Sequence, residues 1–349
     1  LTQMTGFSQK ELQYAFGTAS LSYRDFITID GSVRNDWSST LPKPYSYAYF
    51  SFGGNVILTE AFKLPEVISF AKLRGSWAQV GNDTDPYRLL QTYTFTQGGR
   101  GGGYISRNTT RPAENLKPEI SSSPEFGLDL RLFAGKLGVD FTYYNTNTVN
   151  QLLTLPQATP TGFQNQFINA GKINNKGFEI SLTASPLKGK ALTWDATLNF
   201  ARNVNKIIEL HPSVKTANLG GNTRTTTAIV REGGSYGDLQ AFGWKKDANG
   251  NYVVNAKGLP VATAFDNIVG NFNPKFTLGL NNSFSYKNFV FSFLVDGRVG
   301  GVMTSGTDGN LAYDGTADYT EAHRQGGWVL PAVTETGEQN AVAIDAQTF

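Results

Sequence analysis

The side chains best placed to contact a ligand are aromatic rings that stand in long, polar segments of the chain. A ring in such a segment offers a flat apolar face on which a sugar ring can stack. Five residues meet this description and are candidate ligand contacts: Tyr104, Phe163, Trp244, Tyr313 and Trp328. The alternative for each ring is packing of the loops on one another or on a partner protein.

Residues suited to catalysis are scarce in this sequence. The two histidines, His211 and His323, stand in unrelated loop-like segments, and the 349 residues include no cysteine. Histidine-based metal sites and nucleophile–histidine pairs need such residues close together, and cysteine serves most of the remaining common sites. The sequence therefore predicts no catalytic site, no metal site and no cofactor.

Two glycine-containing motifs resemble binding loops only in part. Residues 247–251 (DANGN) begin like a calcium loop, but Gly250 stands at the fourth position instead of the sixth, and Gly258 replaces the glutamate required at the twelfth. The pair Asn249-Gly250 predicts a hairpin turn instead. Residues 98–103 (GGRGGG) lack the Lys-Ser/Thr of a phosphate-binding loop and predict a flexible loop.

A run of acidic residues near the end of the sequence has two interpretations. It could hold calcium or face a cationic ligand, or it could be a solvated surface, which is the commoner state of such a run. The residues concerned are Asp308, Asp314, Asp318 and Glu321.

The composition favours strands and turns over helices. The chain has 24 Phe, 15 Tyr and 38 Gly, and only 17% of its residues are charged. No segment approaches the ~18 consecutive apolar residues of a membrane helix. The net charge is +2 and no basic stripe is visible, so a nucleic-acid partner is not expected. These numbers indicate an all-β protein.

Alternation of apolar and polar residues is the strongest pattern in the chain. Residues 126–132 alternate four apolar side chains with Gly127, Asp129 and Arg131, and residues 137–144, 178–183 and 192–200 repeat the pattern. A period of two places one set of side chains on each face of a strand. Because each strand is close to the roughly 9–11 residues that cross a bilayer at a tilt, the pattern predicts part of an antiparallel transmembrane β-barrel.

Further strands bring the predicted number to about ten. They fall at residues 12–23, 26–37, 47–58, 70–80, 275–286 and 288–299. A short turn or helix is predicted within residues 60–69, and residues 83–118, 152–172 and most residues from 300 onward are predicted as loop. Tight connections alternate along the chain with long ones, an asymmetry typical of bacterial barrels, whose short turns are periplasmic and whose long loops are extracellular.

The polar faces of these strands are expected to line the lumen of the barrel. Lipid excludes charge from the outer face at a cost of ~2–4 kcal/mol near the midplane, so charged strand residues must point inward. The residues concerned are Asp30, Arg34, Asp129, Arg131, Asp140, Glu179, Asp195 and Asn199. No transport role is assigned to any single one of them.

Several separate stretches resemble the SusC/RagA family of TonB-dependent transporters. Their order along the chain also matches that family, and the resemblance covers most of residues 11–300. The stretches are residues 73–82 (LRGSWAQVGN), 115–119 (NLKPE), 169–179 (NAGKINNKGFE), 194–195 (WD) and 199–206 (NFARNVNK).

The resemblance implies an architecture and a set of partners. In that family a 22-stranded barrel is closed by an N-terminal plug and capped by a SusD-like surface lipoprotein, and TonB energises the import of glycans or, in some members, peptides. Residues 1–349 would then form a partial barrel domain in outer-membrane lipid, with an oligosaccharide or peptide ligand. No family-like plug, TonB box or final strands are recognised in the sequence, so an internal fragment is expected.

Two other functions fit the strand pattern. A TonB-dependent receptor for siderophores or vitamin B12 would share the architecture. A soluble all-β carbohydrate-binding protein would bury the apolar strand faces as a core, but it would have no reason to alternate short and long connections. A third possibility, an outer-membrane enzyme, would need a clustered catalytic set, and the sequence shows none.

Overall fold

The computed structural model describes residues 7–96, 98, 102–212, 214–220, 226–322 and 327–345. Strands dominate these residues. The first thirteen are β1 Leu12–Tyr23, β2 Ile27–Ser38, β3 Ser46–Ile57, β4 Ile68–Asn82, β5 Tyr93–Thr96, β6 Tyr104–Arg107, β7 Thr110–Arg111, β8 Glu119–Leu132, β9 Leu137–Val149, β10 Leu152–Pro156, β11 Asn165–Asn169, β12 Lys172–Lys188 and β13 Leu192–Glu209. The others are β14 Thr216–Gly220, β15 Thr226–Arg231, β16 Asp238–Ala241, β17 Val253–Val254, β18 Asn267–Asn271, β19 Phe276–Tyr286, β20 Phe289–Val299, β21 Trp328–Val329, β22 Val333–Thr334 and β23 Ala343–Ile344.

Helices are few and short. They are α1 Leu58–Ala61, α2 Gly306–Tyr313 and single 3₁₀ turns at Thr159–Thr161 and Asp318–Thr320. None of the helices in the described ranges is long and apolar enough to cross a membrane. The chain divides into two compact units, one of residues 1–215 and 275–299, the other of residues 216–274 and 300–349.

The first unit is built on one large antiparallel sheet of ten strands. The strand order is β1-β2-β3-β4-β8-β9-β12-β13-β19-β20, so every strand pairs with its predecessor or successor among the sheet strands of the chain. This confirms the predicted all-β architecture and the number of strands. Two small sheets, β10-β11-β7 and β5-β6, are formed within the long connections of the same unit.

The register of the ladder separates an apolar face from a polar face. One row of directly opposed residues crosses five neighbouring strands and contains only large apolar side chains: Leu73, Leu128, Phe141, Ile180 and Phe200. Because neighbouring residues on a strand point to opposite faces, the adjacent row belongs to the other face. That row reads Arg74, Gly127, Thr142, Glu179 and Ala201. All eight charged or polar residues that the sequence placed toward a lumen share this second face.

The connections confirm the predicted alternation, with one departure. The β1–β2, β8–β9, β12–β13 and β19–β20 connections are tight, and the β4–β8 and β9–β12 connections are long. The β3–β4 connection, residues 58–67, lies at the tight end but is longer than the β2–β3 connection, residues 39–45. It holds α1 and then Pro65, where a proline without an N–H group prevents further helix.

One expectation about element length was wrong. Strands β12 and β13 contain 17 and 18 residues, well beyond the span expected from the alternation. Their extra residues at the long-connection end place Lys176, Arg202 and Lys206 on the face that is apolar elsewhere, and Ile173 and Ile207 on the other face. The period-two pattern therefore disappears there while the backbone pairing continues. Helix α2 lies within the residues from 300 onward that were predicted mostly as loop. Ser305 caps it by accepting a hydrogen bond from the Asp308 N–H at 3.1 Å.

An arginine reaches across a glycine on the polar face. The Arg74 guanidinium on β4 donates to both carboxylate oxygens of Asp140 on β9, at 2.9 and 2.7 Å, and to Thr142 Oγ1 at 2.7 Å. Strand β8 lies between β4 and β9, and its residue in the path is Gly127. A Cβ atom at Gly127 would overlap Arg74 Nε and contact Cγ at 2.6 Å. The bidentate pair therefore depends on the absence of a side chain at this position.

We expect the Gly127→Ala substitution to destabilise the sheet by about 1–3 kcal/mol, the usual range for overpacking. The reason is that the new methyl group would force the Arg74 side chain to move away from β8. The measurement is the midpoint of thermal unfolding of the full-length protein in detergent micelles. Gly279→Ala is the matched control, since a Cβ atom there meets Asp296 Oδ1 at 3.7 Å and Leu294 Cδ1 at 3.9 Å, both ordinary contacts. Equal midpoints for the two variants would contradict the role of Gly127.

Candidate functional site

A shallow cavity lies on the polar face beside the Arg74 bridge. Its volume is about 240 Å³. Gly53 and Gly127 leave part of its floor as bare backbone, and acidic and basic side chains surround it. The polar lining includes Asp30, Asn55, Lys72, Arg74, Ser76, Glu125 and Thr142. The arrangement can accept a short side chain or a turn of polypeptide that carries hydrogen-bonding groups.

A buried carboxylate stands at the long-connection end of β2. Asp36 is only 3% exposed, and each of its carboxylate oxygens accepts a hydrogen bond. Arg34 Nε donates to one at 2.7 Å, and the Tyr49 hydroxyl donates to the other at 2.9 Å. A buried charge without such partners would cost several kcal/mol. Arg34 also lies over the ring of Tyr14, with its guanidinium carbon 4.3 Å from the ring centroid. The end of the first hairpin is thus held by a connected polar network.

A second buried carboxylate anchors the long connection that follows β4. The Lys10 Nζ atom lies 2.5 Å from Asp83 Oδ1, and the hydroxyls of Ser38 and Thr40 donate to Asp83 Oδ2. The side chain of Asp83 is 8% exposed and Ser38 is 1% exposed. The network therefore ties the start of residues 83–118 to the segment before β1 and to the β2–β3 connection.

Apolar packing covers this polar network. Leu41, Tyr47, Ala113 and Leu116 form a buried cluster, against which Leu89, Leu152 and Phe167 pack. A Cβ atom at Gly81 would overlap the Tyr47 ring, so a glycine is needed where β4 passes this ring. The cluster joins the β2–β3, β4–β8 and β9–β12 connections into one packed body at the same end of the sheet.

An open groove of about 570 Å³ borders this body. Its size falls within the roughly 300–1,000 Å³ of ligand pockets. Both tyrosines that line it, Tyr45 and Tyr87, have φ of 67°, a left-handed conformation that bulky residues rarely adopt. Such strain collects at binding sites. The remaining lining mixes apolar side chains with Gln9, Glu11 and Lys43, so both charged and stacking contacts are available.

The two predicted ligand-contacting rings of the first unit lie elsewhere in its long connections. Tyr104 begins β6 and is 59% exposed. Phe163 follows a 3₁₀ turn and packs under Arg107, whose guanidinium carbon is 4.4 Å from the ring centroid. Neither residue lines the groove. Sequence reasoning missed Tyr45 and Tyr87, although each stands directly after a proline, which could have marked both as fixed turns.

The other three predicted rings belong to the second unit. Trp244 is 54% exposed, and its backbone pairs with Ala262. Tyr313 is the last residue of α2 and is 75% exposed. Trp328 instead packs against the buried cluster of Val254, Leu330, Ala332 and Ile344, the arrangement that the loop-packing alternative described.

Two similar turns shape the second unit. In residues 247–251 the Asp247 carboxylate accepts the Asn249 and Asn251 N–H groups at 2.9 and 2.8 Å and the Asn251 side-chain amide at 3.0 Å. Asn255 repeats the pattern, accepting from the Lys257 and Leu259 N–H groups. The turn predicted at Asn249-Gly250 is therefore present, with Gly250 at φ 87°. The hydrogen bond from the Asn251 amide, with those from the backbone, lowers the pKa of Asp247 below its ordinary value.

One serine motif escaped the sequence reasoning. Residues 233–237 (GGSYG) have the spacing of a nucleophile elbow, but they form the turn between β15 and β16. A nucleophile elbow requires a strand-to-helix turn. The Ser235 N–H donates to Asp238 Oδ2 at 3.2 Å, so the segment closes a hairpin.

Within the described residues, the predicted acidic run and His211 form no metal-binding cluster. No group of three His, Cys, Asp or Glu side chains suited to a metal ion occurs in those ranges. Asp308 lies in the first turn of α2 and accepts a hydrogen bond from the Tyr319 hydroxyl at 3.2 Å. His323, and residues 99–101 of the glycine-rich loop, lie outside the described residues.

Comparisons with known proteins agree on one family. The model of the family described as "TonB dependent receptor-like, beta-barrel" matches residues 3–331. The TonB-dependent receptor P3 of Formosa agariphila is 28% identical over 347 residues, which cover 90% of this chain and 35% of that protein. The TonB-dependent receptor SusC of Bacteroides thetaiotaomicron is 27% identical over 365 residues, with 91% and 35% covered.

Solved structures share the fold. The RagAB peptide importer in its closed-closed state superposes with a TM-score of 0.70 at 23% identity, covering 83% of this chain and 33% of that one. The chain spans about a third of the length of the curated relatives that it matches.

The Asp247 turn is expected to lose order in acid. Its lowered pKa means that the charged form is stabilised in the folded state, so this contribution is present at neutral pH and is lost as the pH falls below about 4 toward the folded-state pKa. Hydrogen exchange at Asn249 and Asn251, corrected for intrinsic rates, should quicken between pH 5 and pH 2.5. The Asn255 turn, which has no titratable group at this position, is the internal control, and equal acid sensitivity in both turns would contradict the assignment.

Proposed function

The chain belongs to the TonB-dependent receptor β-barrel family of the bacterial outer membrane, and from this premise we propose that it supplies barrel wall and outer loops to a gated importer. The two relatives described above are TonB-dependent receptors, and such receptors are transporters. The importer would take up oligosaccharides or peptides, and this segment would act without catalysis.

The observation that carries the proposal is the two-faced ten-stranded sheet. A sheet with a row of large apolar side chains across one face, and charged residues on the other, suits a wall between hydrocarbon and a polar lumen. In the described residues, β1 pairs only with β2 and β20 only with β19. Unpaired backbone groups are costly in hydrocarbon, so both edges would join further strands of a closed barrel.

The proposed substrate class and partners are supported by the similar proteins and by the groove and exposed rings of the long connections. The RagAB protein is a peptide importer by name, and the SusC/RagA resemblance implies glycan import in other members. A SusD-like lipoprotein would cap the long connections, and TonB would act through a plug seated against the polar face. The groove beside Tyr45 and Tyr87 and the exposed rings Tyr104, Trp244 and Tyr313 would contact ligand or lid.

The mechanism would follow from the two faces of the sheet. Ligand would first be held among the long connections, whose packed cluster at Leu41 and Tyr47 keeps the groove open. Displacement of the plug would then expose the polar face, including the cavity beside Arg74, as a hydrated path. The apolar face would keep the wall in the bilayer throughout.

Substitutions at two neighbouring residues of β12 test which face of the sheet meets the lipid. Ile180→Arg is expected to abolish most folded receptor in the outer membrane, since an arginine near the bilayer midplane costs about 2–4 kcal/mol. Ser181→Arg should leave the yield unchanged, because Ser181 points to the polar face, where it donates to Asn199 Oδ1 at 2.9 Å. The measurement is the heat-modifiable fraction on gels of outer membranes from cells that express the full receptor. A lower yield with Ser181→Arg than with Ile180→Arg would reverse the assignment.

The ligand groove is tested by removing one of its rings. Tyr87→Ser should weaken binding by about 1 kcal/mol, or roughly five-fold in Kd, since a stacked ring contributes about that much. Tyr23→Ser is the matched control because Tyr23 is a similarly exposed tyrosine that lies at the tight end of β1 and does not line the groove. Binding of oligosaccharide and peptide pools to the purified full receptor is measured by calorimetry, and competition by a ferric siderophore or vitamin B12 alone would overturn the proposed substrate class.

A further inference from the structure

The apolar face of the large sheet ends in a line of neighbouring aromatic rings near the long connections. The ring centroids of Phe178 and Phe200 are 5.6 Å apart, those of Phe200 and Phe276 are 5.3 Å apart, and Phe141 lies 6.4 Å from Phe178. All four side chains belong to the apolar face by register. Aromatic belts of this kind mark the boundary between hydrocarbon and headgroups.

Beyond this line the same face of the sheet becomes polar and basic. Arg202 lies opposite Phe178, Lys176 lies between Asn145 and Val204, and Asn174 lies between Asn147 and Lys206. The Asn174 amide donates to the side-chain oxygens of Asn145 at 2.6 Å and Asn147 at 3.1 Å. We define the outer patch as Lys176, Arg202 and Lys206 with Asn145, Asn147 and Asn174.

The charges of the outer patch are all of one sign. Lys176, Arg202 and Lys206 are exposed, and in the described residues none of them forms an ion pair. The apolar-face positions of β9 and β12 from the aromatic line outward carry no acidic residue before the bulge at Lys172. A row of cations without counter-charges attracts an anion from outside the chain.

The opposite face at the same height is polar but carries no cation. Its residues are Tyr144, Thr146, Asn175, Asn203 and Asn205, and the Asn203 and Asn205 amides both donate to Asn175 Oδ1, at 3.2 and 2.9 Å. The positive charge is therefore confined to the side that continues the lipid-facing surface. A ligand passing through the lumen would not meet it.

We infer that the outer patch binds the phosphorylated headgroup of a glycolipid in the outer leaflet. Arg202 and Lys206 are four residues apart on one strand, roughly 13 Å, with Lys176 on the neighbouring strand between them. This spacing lets separate cations contact separate phosphates, and the asparagine amides supply donors and acceptors for sugar hydroxyls. The orientation, with long connections outward, rests on the proposed function.

The test compares two triple variants of the full receptor. One variant removes the patch charges by Lys176→Gln, Arg202→Gln and Lys206→Gln. The matched control, Lys136→Gln, Lys188→Gln and Lys190→Gln, removes three lysines at or beside the tight turns at the other end of the sheet. Lipopolysaccharide retained per receptor after detergent purification is measured by mass spectrometry. Added lipopolysaccharide is also tested for raising the midpoint of heat-modifiable unfolding.

The patch variant is expected to retain at least five-fold less lipopolysaccharide than the wild type and to lose the shift in midpoint, while the control matches the wild type. Equal retention by all three proteins would overturn the inference. An equal loss in both variants, or equal stabilisation of the wild type by phosphatidylglycerol micelles, would also overturn it, because either result would indicate general attraction to anionic surfaces.

Two further variants keep the result interpretable. If the triple variant does not fold, Arg202→Gln alone replaces it, with at least a two-fold loss expected and no loss counting against the inference. The charge-preserving set Lys176→Arg, Arg202→Lys and Lys206→Arg should restore most retention. Heat-modifiability reports separately on whether the barrel has folded. A receptor that is never heat-modifiable contradicts the proposed function. A folded receptor that retains lipopolysaccharide without the patch charges contradicts only this inference.

Discussion

The continuous backbone ladder of the ten-stranded sheet is the constraint on which the other features of the first unit depend. Inside hydrocarbon no water can satisfy an open N–H or C=O group, so pairing must run without a gap from strand to strand. That pairing fixes the register, and the register fixes the face of every side chain. A slip of one residue would exchange the row from Leu73 to Phe200 with the row from Arg74 to Ala201. The apolar wall, the Arg74 bridge and the outer patch all follow from one alignment.

Sequence reasoning succeeded where the two faces differ in polarity and failed where they do not. The alternation in residues 126–144 and 178–200 predicts strands, faces and approximate number, because burial in lipid leaves a period of two. The ends of β12 and β13 extend beyond the apolar band, where cations on the otherwise apolar face and isoleucines on the other face erase that period. The pairing itself continues there, since neighbouring strands still supply partners for the backbone. The local sequence pattern cannot predict these backbone hydrogen bonds, because their partners lie far away along the chain.

The candidate site was less predictable than the fold because its parts are brought together by register and by long connections. Nothing in the residues near Arg74 shows that Asp140 will stand two strands away, or that Gly127 will leave room between them. The groove combines Glu11, Lys43 and Tyr87 from three separate segments. Exposed aromatic residues could be recognised as a class, but Trp328 shows that a ring in a polar segment can instead pack into a core.

The two buried carboxylates explain why long connections can form a defined groove. Ordering a loop costs roughly 1–2 kcal/mol per residue in backbone entropy, so connections of this length would otherwise remain an ensemble. Asp36 and Asp83 counter this tendency because each, once buried, is stable only while its donors stay in place. Arg34, Tyr49, Lys10 and Ser38 come from strand and loop alike, so movement of either breaks the network. A groove held in this way needs little further ordering, so the proposed binding of a ligand there would lose less entropy.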